Sequence, residues 1–137
     1  MAPPSRRFSD STFLHLWASA LGTIFVAFGV NAIARPAHAL TFFEWDLPSA
    51  SSEHRKVVEG LMIVYGARDV FMGLAIYAAA WYRATRALGW IVIAGSGVAY
   101  VDGIACYLAG KGEWNHWGYA PMLTVVGALL AGVLDRA

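Results

Sequence analysis

The sequence predicts an all-α fold, an integral-membrane bundle of four transmembrane helices in up-down order. Three observations predict it. Of the 137 residues, 58% are hydrophobic and 14% charged, with a mean hydropathy of +0.53. That balance is too apolar for an ordinary soluble domain, and the length suits a single domain. The apolar residues gather into four runs, each near the ~20 residues that a helix needs to cross a bilayer core. Six Trp and six Tyr supply amphipathic rings for two membrane–water interfaces.

The elements follow in order. Residues 1–12, with Pro3-Pro4 and Arg6-Arg7, read as a polar, mobile tail; residues 13–137 form the helical domain. The first span covers 13–34. Arg6-Arg7 before an apolar run, with Ala37-His38-Ala39 after it, mimic a cleavable signal. The run is longer than the ~7–15 residues of a signal core, which favours an uncleaved span. Residues 35–56 form the longest connection. Within it Pro36 and Pro48 bracket the aromatic-acidic segment Phe42-Phe43-Glu44-Trp45, expected to lie in the interface as a lid. Ser49, Ser51 and Ser52 are candidate caps for the helix that follows. The second span covers 57–82, the third 87–109 and the fourth 114–134, where Pro121 predicts a kink or a fresh helix start.

Short links make neighbouring spans antiparallel and place both termini on one side. Counting Arg6, Arg7, Arg83, Arg86 and Arg136 against Arg35, Arg55, Lys56 and Lys111 slightly favours termini in the cytoplasm. Small residues recur at helical spacing: Ser19, Gly22 and Gly29 in the first span, Gly95, Ala99 and Gly103 in the third, Ala120, Thr124 and Ala128 in the fourth. Such rows let helix backbones approach where lipid offers no hydrophobic drive. They leave faces on which a homodimer is plausible.

Several function classes drop out. A formal net charge of +1 and the absence of a basic block give no reason to expect nucleic acid. A single cysteine, Cys106, rules out an intrachain disulfide and CxxC redox chemistry. The four His lack metal-ligand spacing, so no metal is expected. No Walker-type, GxGxxG or GxSxG motif appears, so no cofactor is expected.

The chemistry concentrates in the second and third spans. Arg68 and Asp69 lie near the middle of an apolar run, where ionisable groups are costly, rare and paired or functional. Their helix places them ~16–18 Å from the face opposite the termini, and Asp102 lies ~10 Å from that face. Helical side chains tilt toward the helix N-terminus. Arg68 therefore leans toward that face and Asp102 away from it, so the two meet. Asp69 is about 100° round the helix from Arg68, which predicts a different partner; Tyr65, one turn earlier, is a candidate. Arg68, Asp69 and Asp102 are thus the candidate catalytic residues. Glu59, Tyr65, Asn31, His116, Trp114 and Trp117 are the candidate substrate-binding residues around the mouth, with Tyr119 beside them. An Arg–Asp pair also serves to neutralise itself and fix helix register, and His116 also suits a simple interfacial role.

At Gly66-Ala67-Arg68-Asp69-Val70-Phe71-Met72-Gly73-Leu74, and again at His116-Trp117-Gly118-Tyr119-Ala120-Pro121, the chain resembles an uncharacterised family of small four-span membrane proteins of filamentous fungi and some bacteria. The resemblance covers nearly the whole chain and implies a DoxX-like four-helix bundle. Fungal members of that family often accompany secondary-metabolite pathways, which implies a tailoring enzyme, but the family supplies no established catalytic residues. Membrane-bound glutathione transferases and small multidrug exporters fit less well, since the residues that mark their spans are missing here.

The resulting expectation is a cofactor-independent isomerase or cyclase acting on a lipophilic metabolite delivered through membrane lipid. In a eukaryote the endoplasmic reticulum membrane would be its site. The alternative is a proton-coupled carrier or accessory membrane subunit whose Arg–Asp pair is structural.

Overall fold

The structure, a computed structural model, describes residues 7–135. The parts of the N-terminal tail before Arg7, together with Arg6 and Arg136 of the charge count, lie outside the described residues. Among the described residues every regular element is helical. After a 3-10 turn at Phe8–Asp10 come α1 (Thr12–Ala34), α2 (Pro36–Leu40) and a second 3-10 turn at Thr41–Phe43. Then follow α3 (Glu53–Trp81), α4 (Thr85–Leu108), α5 (Trp114–Trp117) and α6 (Ala120–Ala131).

Three helices, α1, α3 and α4, are long and apolar enough to cross a membrane, consistent with an integral membrane protein. Helix α3 begins earlier than its apolar run. The Ser52 side chain accepts the His54 N–H and caps a first turn of Glu53, His54, Arg55 and Lys56 that carries the helix out of the apolar layer. The expected fourth span is not one helix. It breaks at Gly118-Tyr119 into the single turn α5 and the 12-residue α6. Pro121 stands in the first turn of α6, where its missing N–H costs nothing, whereas further into a helix it would cost about 3 kcal/mol. At ~1.5 Å per residue α6 is about 18 Å long.

The bundle is two close helix pairs facing one another. In the first, α1 and α3 meet through glycines in antiparallel register. A Cβ on Gly29 would stand 2.5 Å from the Gly66 carbonyl oxygen, and one on Gly73 2.5 Å from that of Gly22. In the second, Gly89 of α4 lies against the Gly127–Ala131 stretch of α6, and Ser96 Oγ donates to the Ala120 carbonyl at 3.0 Å. Both seams are of the small-residue kind. Gly95 and Ala99, expected in such a seam, instead face Phe25 of α1 and the interior between the pairs.

Leu14, Ala18, Leu21, Ile76, Leu88, Val92, Leu123 and Leu130 fill the termini half of that interior. At the terminal face the Ser9 backbone N–H and hydroxyl both donate to Asp135, at 3.0 and 2.7 Å, and so hold the two chain ends on one side. At the other face Ala32, Ala39, Leu40 and Met62 form a second cluster under α2. Phe13, Phe71, Trp90 and Val125 are among many large apolar side chains left outward-facing, as lipid contact requires.

Candidate functional site

Between the two helix pairs, in the half away from the termini, lies a cavity of about 260 Å³. Its walls are mostly apolar. Leu21, Ile24, Phe25 and Phe28 of α1 face Val98 and Ala99 of α4 and Met122 and Leu123 of α6. Its polar end is built by α3 and α4, through Tyr65, Arg68, Asp69 and Asp102, with Asn115, His116 and Tyr119 completing the ring. Ala39, Phe42 and Phe43, from α2 and the turn after it, close it over.

Arg68 organises the polar end. Its Nη1 donates to Asp102 Oδ1 at 3.1 Å and its Nη2 to Asp102 Oδ2 at 2.9 Å, the bidentate geometry that strengthens such pairs. The same guanidinium donates to Asp69 Oδ1 from Nε at 3.2 Å and from Nη2 at 3.1 Å. The expectation that Asp69 would turn to another partner is therefore corrected. The helix does separate the two Cβ directions, but the long arginine chain folds back across its own turn, its guanidinium 4.4 Å above the Tyr65 ring. Four of the five guanidinium N–H groups are so used. One N–H, on Nη1, takes no protein partner among the described residues. Asp69 is 3% exposed, and Arg68 holds it through Oδ1 alone, leaving Oδ2 without an arginine bond. Two carboxylates share one cation, so the cluster carries a formal charge of −1 unless it holds a proton.

The remaining candidates divide. His116 is buried, packs against Phe43 with ring centroids 4.6 Å apart and planes tilted by 40°, and has Cys106 Sγ 3.8 Å from its Nδ1. Phe43 also meets the Tyr65 ring edge at 5.4 Å, so lid, α3 and α5 converge on one aromatic cluster. Asn115 Nδ2 donates to Glu44 Oε1 at 3.3 Å and ties the lid to α5. Four residues expected at the mouth do not line the cavity. Glu59 pairs with Arg55 at 2.8 Å, one turn away along the same helix face. Asn31 binds His38 Nδ1 through its side-chain oxygen at 3.0 Å. Trp114 is turned outward. Trp117 donates its indole N–H to the Tyr100 carbonyl at 3.1 Å, and its ring fills the space over Gly103. In each case a nearer partner takes the side chain.

Sequence reasoning passed over the apolar walls and Asn115. The 3-4-3 rhythm of Leu21, Ile24 or Phe25, and Phe28 carried the signal for the α1 wall, and Val98 and Ala99, one turn before Asp102, that for the α4 wall. Asn115 had no comparable signal, because its place depends on where α5 folds. Among the described residues no group of three or more His, Cys, Asp and Glu side chains is gathered as metal binding requires.

Fold and cavity together define a small helical protein of membrane character with a partly open, mainly apolar chamber ending in an Arg–carboxylate cluster. The chain belongs to the family described as Domain of unknown function (DUF4267), whose model matches residues 22–130. No curated protein and no solved structure matches it.

Proposed function

We propose that the protein is a small four-pass membrane enzyme, a cofactor-independent isomerase or cyclase of a lipophilic metabolite, with Asp69 as acid–base and Arg68 as electrostatic clamp. In this reading α5 and α6 together make the fourth crossing, the bundle is DoxX-like, and a eukaryotic host would hold it in the endoplasmic reticulum membrane. The observation that carries the proposal is the asymmetry of the chamber. Apolar walls from three helices suit a hydrocarbon body, and a single charged end supplies both a base and a donor.

The chemistry follows from atoms on the page. Asp69 Oδ2, without an arginine bond, removes a proton from carbon next to a carbonyl. The electron pair moves to the carbonyl oxygen, and the developing negative charge meets the unpartnered Nη1 N–H of Arg68. Return of the proton from Asp69 to a different carbon completes an isomerisation; attack by that carbanion on a second carbonyl carbon of the same molecule, whose C=O π pair moves to its oxygen and takes the proton back from Asp69, completes a cyclisation. Holding a flexible chain folded against the aromatic walls also favours pericyclic closure by orientation alone. The second reading, a carrier or accessory subunit, draws on the bidentate Arg68–Asp102 pair, which would serve helix register equally well.

The test uses purified protein in detergent, no added cofactor, and a panel of long-chain β,γ-unsaturated ketones, with product isomers read by chromatography and mass spectrometry. Ala99 is 1% exposed and lines the chamber, so Ala99→Leu fills space without touching a charge. Turnover by the wild type and at least about tenfold loss in a folded Ala99→Leu variant support the enzyme reading. Turnover that the filled chamber leaves unchanged would place the chemistry elsewhere.

A further inference from the structure

The chamber is short for a lipophilic chain. A cavity of about 150 Å³ holds one benzene ring, so the 260 Å³ here takes roughly ten non-hydrogen atoms. A longer molecule must keep the rest of its length elsewhere. We infer that the excess leaves through a side opening between α1 and α6, so that the chamber holds a single-chain amphiphile with its head at Arg68 and its tail in the bilayer; the carbonyl nature of that head rests on the proposed function.

Exposure locates the opening. Ile24 of α1, Phe42 of the turn after α2 and Met122 of α6 line the chamber and are also 49%, 37% and 39% exposed. Half-buried Phe28 joins them, its ring meeting that of Phe42 edge to face at 4.9 Å, and the four make an apolar rim. The chamber residues of α3 and α4 are instead all buried or half-buried, and the Arg68–Asp102 pair bridges those two helices. With α1 packed on α3 and α4 on α6, the polar end stands across the chamber from the rim. A chain whose head reaches Arg68 therefore points its far end at the α1–α6 flank.

The side away from the termini is shut. Ala39, Phe43 and His116 are buried there, and the Phe43 carbonyl rests on Gly112 so closely that a Cβ would overlap it. Asn115, among the described residues the one exposed polar residue of the chamber wall, is tied to Glu44 of the lid. Depth agrees with a lipid exit. Ile24 stands about 18 Å along α1 from its start and about 15 Å from its end, in a helix long and apolar enough to cross a membrane. The rim thus reaches from the lid down to mid-helix, where acyl chains lie.

The experiment is photolabelling of the full chain in phosphatidylcholine nanodiscs, with adducts mapped by peptide mass spectrometry. The probes are hexadecan-2-one carrying a diazirine at its sixth or its fourteenth carbon, and nonan-2-one carrying one at its sixth. Both sixth-carbon probes should label the interior, at Phe25, Ala99 or Leu123. The fourteenth-carbon probe should label lipid and the rim, at Ile24 or Met122. Met122→Trp should lower interior labelling by the long ketone about tenfold relative to the short one, because the added ring occupies the rim that only the long chain crosses. Ile24→Trp, from the opposite side of the rim, should act in the same direction, and circular dichroism separates a blocked rim from a lost fold. Fourteenth-carbon adducts at Asn115, Phe43 or the interior overturn the side opening, as does an equal effect of both Trp variants on long and short ketones. Absence of interior labelling by either sixth-carbon probe overturns the occupant itself. Deuterium exchange into the same ketones keeps the two proposals apart. Interior labelling without exchange removes the enzyme and keeps the opening, whereas exchange with tail adducts at Asn115 removes the opening and keeps the enzyme.

Discussion

Two arginines sit at different depths of the same bundle, one mid-helix and one just past the end of that helix, and their surroundings differ in one respect. Arg68, in the middle of α3, is held by two carboxylates through four hydrogen bonds. Arg83, in the α3–α4 link, lines a cleft with no acid. At membrane depth a lone guanidinium is too costly, so the chain supplies counter-charge from its own helices. At the boundary water does the same work, and among the described residues Arg83 has no ion pair. The first arrangement makes an arginine that ties α3 to α4 through Asp102 and that the proposed function uses to polarise a substrate.

That contrast makes the stability consequences unequal. Replacing Asp102 by Leu leaves a half-buried cation with half its bonds, and a loss of about 1.5–3 kcal/mol is expected, read as a lower melting temperature in detergent. Arg83→Gln should change stability by about 0.5 kcal/mol or less. Equal losses for the two would erase the distinction between the depths. Next in size are the helix seams. Gly29→Ala drives a methyl against the Gly66 carbonyl and should cost about 1–3 kcal/mol. Gly60→Ala, at a position with open space, should stabilise α3 by roughly 0.5–1 kcal/mol through helix propensity. A comparison of their thermal melts checks both signs.

The smallest effect belongs to the terminal clasp. The backbone N–H and then the hydroxyl of Ser9 hold the Asp135 carboxyl below the ordinary carboxylate range. A folded-state pKa below the unfolded one contributes stability above the unfolded value of about 3.9, and that contribution is lost as pH falls through the lower, folded value. Thermal melts between about pH 3 and pH 6 should therefore show a shallow acid-side decline that Ser9→Ala reduces in part, since the backbone N–H remains.

How much of this was readable in the residues differs between elements for physical reasons. The three long helices announce themselves by length and apolarity, and Ser52 announces the start of α3 by its capping chemistry. The meeting of Arg68 with Asp102 followed from depth and side-chain tilt, because both are set by rigid helices. The position of Asp69 was misjudged, since a long arginine side chain is not bound by the direction of its own Cβ. The fourth segment was read in part: Pro121 announced the fresh helix start that α6 makes, but not the separate turn α5. No charge interrupts the run from Tyr119 to Leu134, but the break at Gly118-Tyr119 lets α5 turn under the lid, where Phe43 and His116 pack together. Only tertiary contact selects that turn. Glu59, Asn31, Trp114 and Trp117 show the same limit, as depth placed them near the mouth while local partners turned them away from it.

The central claim is that Asp69 is the working carboxylate and Asp102 the one that holds Arg68 in place. The most direct measurement is deuterium uptake from heavy water into the α-carbon of a long-chain ketone that the wild type turns over, compared with Asp69→Asn protein shown by its melt to be folded. A fall in exchange rate of about 100-fold or more is expected on loss of a general base. Exchange at the wild-type rate in folded Asp69→Asn protein would contradict the account.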